Sequence, residues 1–137
     1  MGDPILVGYD GGDGARSALA EALRLAGDVG SAVVAAYAYA PARIGGEVAD
    51  LARALREAGE EVLEHARHQA EAEGQQIDTV LIDERPAVGL VAAADELQAR
   101  MIVIGSNGES ALRGAILGST PYKLLSMTDR PVLVVRA

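Results

Sequence analysis

Residues 101–123, MIVIGSNGESALRGAILGSTPYK, carry the pattern that decides the fold of this chain. Four consecutive apolar residues, 101–104, are followed by Gly105, and a second glycine stands at Gly108. A buried strand that ends in glycine is typical of a parallel sheet, where it carries backbone to a site at its carboxyl end. Glycine also lets backbone N–H groups come close to an anion, because no Cβ intervenes. The first half of the stretch therefore predicts a parallel strand and an anion-binding loop.

The second half of the stretch has the features of a helix start. Gly118 and Ser119 precede Thr120, which we expect to be the N-cap, with Pro121 at the first helical position. A helix start presents unpaired N–H donors and the positive end of the helix dipole, and both suit phosphate. Because Pro121 has no N–H, we expect the amides of the next two residues to serve as donors. The two halves together predict a nucleotide site.

On either side of this stretch, apolar strand-like runs alternate with helical patterns. We expect strands at residues 5–9, 32–37, 77–82 and 101–104, and a last one that begins at Pro131 and ends at Val135. We expect helices from Asp13 or Gly14, over 45–73, from Pro86, and over about 121–127. The more alternating run 77–82 favours a sheet edge, and the last strand is expected at an edge as well. This order predicts one α/β domain, residues 1–137, with a parallel sheet covered by helices on both faces.

Three helices carry more specific expectations. Gly27 and Gly30 are predicted to end the first helix, and Gly59 is predicted to kink or break the long one. The apolar stripe of the long helix is expected to comprise Val48, Leu51, Ala52, Leu55, Val62, Ala66 and Ala70. In the helix that begins at Pro86, the residues expected to face inward are Leu90, Val91, Ala94 and Leu97.

The composition excludes several classes of function. Half of the 137 residues are hydrophobic, but the apolar runs are too short to span a membrane, and the first residues show no secretory signal. The absence of cysteine excludes disulfides, thiol catalysis and cysteine-based zinc sites, and it suits a cytoplasmic protein. The net charge of −8 argues against nucleic acid or an anionic membrane as a partner.

The glycine spacing carries a family resemblance. Gly105, two residues, Gly108, nine residues and Gly118-Ser119 are similar to the nucleotide-binding signature G-x2-G-x9-G-[ST] of universal stress proteins. The runs ILVGYDGG and PVLVVR also resemble that family, and the likeness extends from Ile5 to Arg136. The resemblance implies a single open five-stranded parallel sheet of order 3-2-1-4-5, Rossmann-like and adenine nucleotide alpha hydrolase-like. The alternative is that the three glycines serve only tight turns and close packing.

The resemblance also assigns site residues. It implies that Asp10 contacts the adenosine part of ATP and that the main chain at Ala38 reads the adenine edge. Phosphate and ribose would be bound by a set comprising Gly11, Gly105, Ser106, Asn107, Gly108, Gly118, Ser119 and Thr120. Arg113 and Lys123 are the nearest cations, and each either neutralises phosphate charge or is a solvated surface residue. Tyr37 is a candidate to pack against the base, although a strand tyrosine also fills space. Two residues depart from the family pattern in ways that bear on the affinity for nucleotide. Gly12 stands where the family has a serine, and Pro121 has no N–H to donate to a phosphate.

The sequence gives weaker support for a P-loop, a dinucleotide site or a metal site. No Gly-Lys-[Ser/Thr] sequence follows a glycine-rich turn, and the glycines after the first strand lack the dinucleotide spacing. A metal site on the long helix would use Glu61, Glu64, His65 and His68, but these residues are also what a solvated face contains.

No catalytic constellation is present in the sequence. We therefore expect a stress-response sensor or regulator that holds ATP, or ADP or AMP, with Mg²⁺ and hydrolyses it slowly at most. The main alternative is a non-nucleotide interaction module of the same fold, and a flavin or adenylating enzyme is the third. In either of the first two cases, we expect a homodimer through the apolar last strand.

Overall fold

The computed structural model describes residues 3–40, 48–106 and 118–137 and shows nine elements in those ranges. In chain order they are β1 (Ile5–Gly8), α1 (Asp13–Val29), β2 (Val33–Tyr39), α2 (Val48–Ala72), β3 (Asp78–Asp83), α3 (Pro86–Leu97), β4 (Met101–Gly105), α4 (Ser119–Met127) and β5 (Val132–Val135). The strands form one sheet of order β3-β2-β1-β4-β5, in which every pair of neighbours is parallel. The predicted fold class and strand order are confirmed, and β3 and β5 lie at the edges as expected.

The alternation of side chains along the strands creates two cores, one on each face of the sheet. One core includes Ile5 and Val7 of β1 and packs under α1 and α2. The other includes Leu6 of β1 and packs under α3 and α4, which contribute Leu90 and Leu124. Because β1 is central and buried on both faces, its sequence is apolar throughout rather than alternating.

Helix α1 ends where its second candidate glycine lies. Gly30 adopts the left-handed conformation, with φ of 73°, and its N–H donates to the carbonyl of Ala26 at 2.9 Å. The prediction that Gly27 helps to end the helix is wrong, because the helix continues through it to Val29. A glycine alone weakens a helix by about 1 kcal/mol, which tertiary packing readily offsets.

Helix α2 runs through Gly59 without a break, so of the two predicted alternatives the break is wrong. A Cβ at this position would lie 2.6 Å from Cδ1 of Leu81 and 2.8 Å from Cδ2 of Tyr37. A side chain at residue 59 would have to displace Leu81 and Tyr37, so the glycine allows the close packing of α2 on β2 and β3.

The apolar stripe of α2 is only partly as predicted. Ala66 and Ala70 are fully buried, and Leu63, which the stripe omitted, is also in the core. Leu51 is 44% exposed, and the side chain of Val48 lies outside the described residues. A helix of 25 residues is about 37 Å long, whereas a seven-residue strand such as β2 spans about 23 Å. The sheet is therefore too short to cover the whole of α2, and the exposed Leu51 lies in the first turn of the helix.

Helix α3 buries the expected face except at its end. Leu90 and Ala94 are buried and Val91 is partly buried, but Leu97 is 38% exposed, so its predicted inward position is wrong. The helix stops there, because Gln98 adopts a left-handed conformation with φ of 53°.

Candidate functional site

The two halves of the glycine pattern come together at the carboxyl end of β4. The N–H of Gly118 donates to the carbonyl of Ser106 at 2.6 Å, and the N–H of Ser106 donates to the carbonyl of Val135 at 2.8 Å. The end of β4 is thus joined directly to the start of α4 and to the end of β5. Of the predicted site residues, Asn107, Gly108 and Arg113 lie outside the described residues.

Helix α4 starts earlier than the sequence predicted. Gly118 is the N-cap, Ser119 is the first helical residue, and Pro121 is therefore the third, so the predicted cap at Thr120 is wrong. The N–H groups of the first three helical residues have no partner within a helix, so a proline among them breaks no helical hydrogen bond.

The donors of this helix start also differ from those expected. The N–H of Tyr122 donates to the carbonyl of Gly118 at 3.3 Å, within the first turn. By helix geometry, the backbone donors directed beyond the helix end are therefore those of Ser119 and Thr120. Both residues also carry a hydroxyl group. Pro121 is buried. The helix start keeps two adjacent N–H groups although it contains a proline.

Gly105 has a packing role that the sequence left as an alternative. A Cβ on this residue would lie 2.7 Å from the carbonyl carbon of Gly14, in the first turn of α1. Backbone cannot yield as the end of a flexible side chain can, so the close approach of α1 to β4 accounts for this glycine. The next residue, Ser106, is 6% exposed.

Asp10 lies in the loop that joins β1 to α1. Its Oδ1 accepts the N–H of Gly12 at 2.9 Å, which forms an Asx-type turn. Gly11 has a φ of 88°, a value that favours glycine, and Gly12 is the N-cap of α1 without a side-chain cap. The carboxylate is therefore held at the carboxyl end of the central strand, next to the start of α1.

The predicted residues of β2 lie on different faces of the sheet. Ala38 pairs in register with Ile82 of β3, and its Cβ lies 3.4 Å from the position of a Cβ on Gly89 of α3. Tyr37 faces α2 instead, and its ring stacks on that of Tyr39 with centroids 6.4 Å apart. Tyr37 thus fills space under α2, which was the alternative to a base-packing role.

A cavity of about 390 Å³ lies between the β1–α1 loop and α2. It is lined by Tyr9, Asp10, Gly11, Arg16, Val62, His65 and Gln69. Only Asp10 and Gly11 were predicted as nucleotide-binding residues, and His65 was considered only as a metal ligand. The signal that was missed is the helical spacing of residues 62, 65 and 69, which places them on one face of α2.

Hydrogen bonds connect this face of α2 to both ends of the loop. Nε2 of Gln69 donates to the carbonyl of Arg16 at 2.8 Å, and the hydroxyl of Tyr9 donates to Oε1 of Gln69 at 3.4 Å. Nη1 of Arg16 donates to the carbonyl of Gly11 at 2.6 Å, and its guanidinium also pairs with Asp13. Burial raises the pKa of Tyr9; the Arg16 charge opposes this shift and the Asp10 charge adds to it.

Two other features bear on the rival sites. In the ranges 3–40, 48–106 and 118–137, no three histidine, aspartate or glutamate side chains are grouped so that they would hold a metal ion. Nε2 of His68 lies 3.5 Å from Oε1 of Glu64, as expected for neighbours on an exposed helix face. None of the helices in these ranges is long and apolar enough to cross a membrane.

Comparison with known proteins finds one family. The sequence model of the universal stress protein family matches residues 1–136. Universal stress protein YxiE of Bacillus subtilis is 28% identical over 151 residues, covering 99% of this chain and 100% of the relative.

Several solved structures are similar over nearly the whole chain, and two of them contain cAMP or dAMP. A universal stress protein crystallised in complex with cAMP has a TM-score of 0.76 and 29% identity, covering 97% of this chain and 96% of the other. The universal stress protein of Archaeoglobus fulgidus in complex with dAMP has a TM-score of 0.71 and 25% identity, covering 98% of both chains.

Proposed function

The chain belongs to the universal stress protein family, and we propose that it binds an adenine nucleotide at the carboxyl end of its sheet. The observation that carries the proposal is the hydrogen bond between Gly118 and Ser106, which brings the start of α4 to the end of β4. Similar proteins crystallised with cAMP and dAMP support an adenine nucleotide as the ligand class.

In this proposal, the phosphates lie at the start of α4. Ser119 and Thr120 supply two N–H groups and two hydroxyls, and Gly118 leaves space because it has no side chain. The local donors must act against a net charge of −8, so the contacts have to be short-range. The resemblance adds Asn107 and Gly108 to the phosphate side, and Arg113 is proposed there as one of the cations nearest to the glycine signature in sequence.

The adenosine part lies toward the β1–α1 loop in the same proposal. The Asp10 carboxylate accepts hydrogen bonds from a ribose hydroxyl or the adenine amino group, and the main chain at Ala38 reads the adenine edge. We propose ATP, or ADP or AMP, with Mg²⁺ bound through the phosphates rather than by a dedicated set of protein ligands.

The proposed role is that of a cytoplasmic stress-response regulator with slow hydrolysis at most. The sequence has no P-loop lysine, and its two histidines belong to α2 rather than to the end of β4 or the start of α4. The regulatory signal would then be whether nucleotide is bound, and slow hydrolysis would only limit how long the ATP-bound state lasts.

The test uses Gly118→Asp and Gly118→Asn in calorimetric titrations of nucleotide-stripped protein with ATP, with and without Mg²⁺. Both side chains are good N-caps and should keep α4 in place. Only the aspartate adds a negative charge at the phosphate position, so we expect it to weaken ATP binding at least about tenfold more than asparagine does. A wild-type protein that binds neither ATP nor AMP at millimolar concentrations would refute the proposal.

We also propose a homodimer through β5, which is the interaction surface of the alternative, non-nucleotide function. The two sheet edges differ: β3 is bounded by Asp78 and Asp83, whereas β5 is wholly apolar and partly exposed. Charges at an edge strand discourage pairing with another sheet, and an apolar edge favours it. The difference therefore favours β5 as the contact between two copies.

The dimer can be tested with a proline at Val134. The N–H of Ile102 donates to the carbonyl of Pro131, and the N–H of Ser106 donates to the carbonyl of Val135. In β5, the backbone N–H and C=O groups of the odd-numbered residues therefore face β4. The N–H of Val134 therefore faces outward. We expect Val134→Pro to give a folded monomer by light scattering at a concentration where the wild type is dimeric. A monomeric wild type at micromolar concentration would contradict the proposal.

A further inference from the structure

Gln69 of α2 contacts both ends of the loop that carries Asp10. Tyr9 directly precedes Asp10, and its hydroxyl donates to Oε1 of Gln69. Arg16 follows in the first turns of α1, and its carbonyl accepts a hydrogen bond from Nε2 of Gln69. One amide side chain thus bridges the two flanks of the loop, with its acceptor on one side and its donor on the other.

From this bridge, we propose that Gln69 is a positioning residue for nucleotide binding. It holds the Asp10 loop in its binding conformation, so that α2 sets the affinity for the adenosine end without touching the phosphates. The inference rests on the nucleotide site proposed above. It adds an element, α2, to which neither the glycine signature nor the family resemblance assigned a role.

The loop needs an external support because of its own composition. It contains Gly11 and Gly12 in succession, and glycine loses more backbone entropy on ordering than any other residue. Within the loop, the N–H of Gly12 binds the Asp10 carboxylate, and the Gly11 carbonyl binds the Arg16 guanidinium. Both of these partners are near neighbours in sequence, so they shape the loop internally. The N–H of Tyr9 donates to the carbonyl of Ala36 and fixes the start of the loop to β2, and Gln69 adds a connection from α2 to both flanks.

Loss of the bridge should reduce the affinity for nucleotide by changing the conformation of the loop before the nucleotide binds. If only a fraction of molecules hold Asp10 correctly, the apparent dissociation constant rises by the inverse of that fraction. The Tyr9 contact is long, at 3.4 Å, so the bridge is worth about one net hydrogen bond, or a factor of about five in an equilibrium constant. We therefore expect Gln69→Leu, which keeps the volume but removes both contacts, to weaken ATP binding by up to about fivefold.

The chain provides a matched control in Gln75. Its Nε2 donates to the carbonyl of Leu23 at 3.2 Å, so it also connects a glutamine to a carbonyl of α1. Leu23 lies further along α1, away from the Asp10 loop. We expect Gln75→Leu to lower the urea midpoint of unfolding as much as Gln69→Leu does, but to leave the ATP affinity unchanged. Tyr9→Phe removes only one arm of the bridge and should have a smaller effect than Gln69→Leu.

A second readout uses the protein without nucleotide. Amide hydrogen exchange at Gly12 reports the turn that holds the Asp10 carboxylate, and we expect it to be faster in Gln69→Leu but not in Gln75→Leu. Wild-type protein that binds no nucleotide would overturn the proposed site and this role together. Wild-type binding with equal ATP affinity and equal Gly12 exchange in Gln69→Leu would overturn the Gln69 inference alone.

Discussion

At the scale of single residues, the glycines of the signature have different physical roles. Gly105 is explained by packing, because a Cβ there would meet the backbone of Gly14. Gly118 is an N-cap with φ of −69°, a value open to any residue, so backbone conformation does not require glycine there. A packing role at Gly105 is compatible with a ligand site at Gly118. The sequence pattern cannot separate the two roles, because a missing side chain is the same signal in both.

Replacement of Gly105 by alanine should therefore destabilise the fold directly. Overpacking against backbone typically costs about 1–3 kcal/mol, and we expect that loss in the free energy of unfolding from urea titration. Gly27→Ala is the control, because nothing lies within 4 Å of a Cβ there and the helix should gain up to about 1 kcal/mol. Equal stabilities of Gly105→Ala and wild type would contradict the packing explanation.

Tyr9 gives a prediction about alkaline pH. Burial raises the pKa of Tyr9 in the folded protein above that in the unfolded chain, so the folded state retains this proton more strongly. The corresponding stability is complete below the unfolded pKa, about 10, and is lost as pH rises through the folded value. We expect the unfolding free energy of wild type to fall more steeply above pH 10 than that of Tyr9→Phe. Parallel curves for the two proteins would exclude this role.

At the scale of elements, strand positions were predictable and helix details were not. The apolar runs of β1 and β4 are buried on both faces, which only a central parallel strand requires. Gly59 misled the prediction of α2, because the sequence does not show that Leu81 and Tyr37 come against that position. Thr120 misled the prediction of α4, because a capping side chain and a glycine cap are both permitted before Pro121.

One contact between elements is expected to stabilise the end of α3. Nε of Arg130 donates to Oδ1 of Asp95 at 3.1 Å, and its Nη1 donates to the carbonyl of Ala99 at 2.7 Å. We expect Arg130→Ala to cost about 1–2 kcal/mol of unfolding free energy in urea titrations. Arg24→Ala, which removes an exposed pair with Glu21, should cost less than about 0.5 kcal/mol. Similar losses in the two variants would show that Arg130 is no more than a surface residue.

At the scale of the whole molecule, the fold was predictable because several signals agreed. Element order, apolar strands and the glycine spacing all indicate one parallel sheet of order 3-2-1-4-5. The site was less predictable, because it is assembled from loops whose neighbours are distant in sequence. Gln69 and Tyr9 illustrate this: they are 60 residues apart and share no motif, so only the packing of α2 against α1 and β2 brings them together.

Net charge makes a prediction for the proposed dimer. Each chain carries −8, so two copies repel one another at low ionic strength. Salt screens this repulsion but hardly affects apolar contacts and backbone hydrogen bonds across β5. We therefore expect sedimentation equilibrium to show tighter dimerisation at about 150 mM than at about 10 mM salt. Dissociation on adding salt would instead indicate an interface made by ion pairs.

The central claim is that an adenine nucleotide binds where β4 ends and α4 begins. The most direct measurement is the amide NMR spectrum of isotopically labelled protein during titration with ATP. We predict saturable shifts at Ser106, Gly118, Ser119, Thr120 and Gly12, and none at Gln98 at the opposite end of the sheet. An absence of shifts at millimolar ATP, or shifts confined to residues outside this set, would contradict the account.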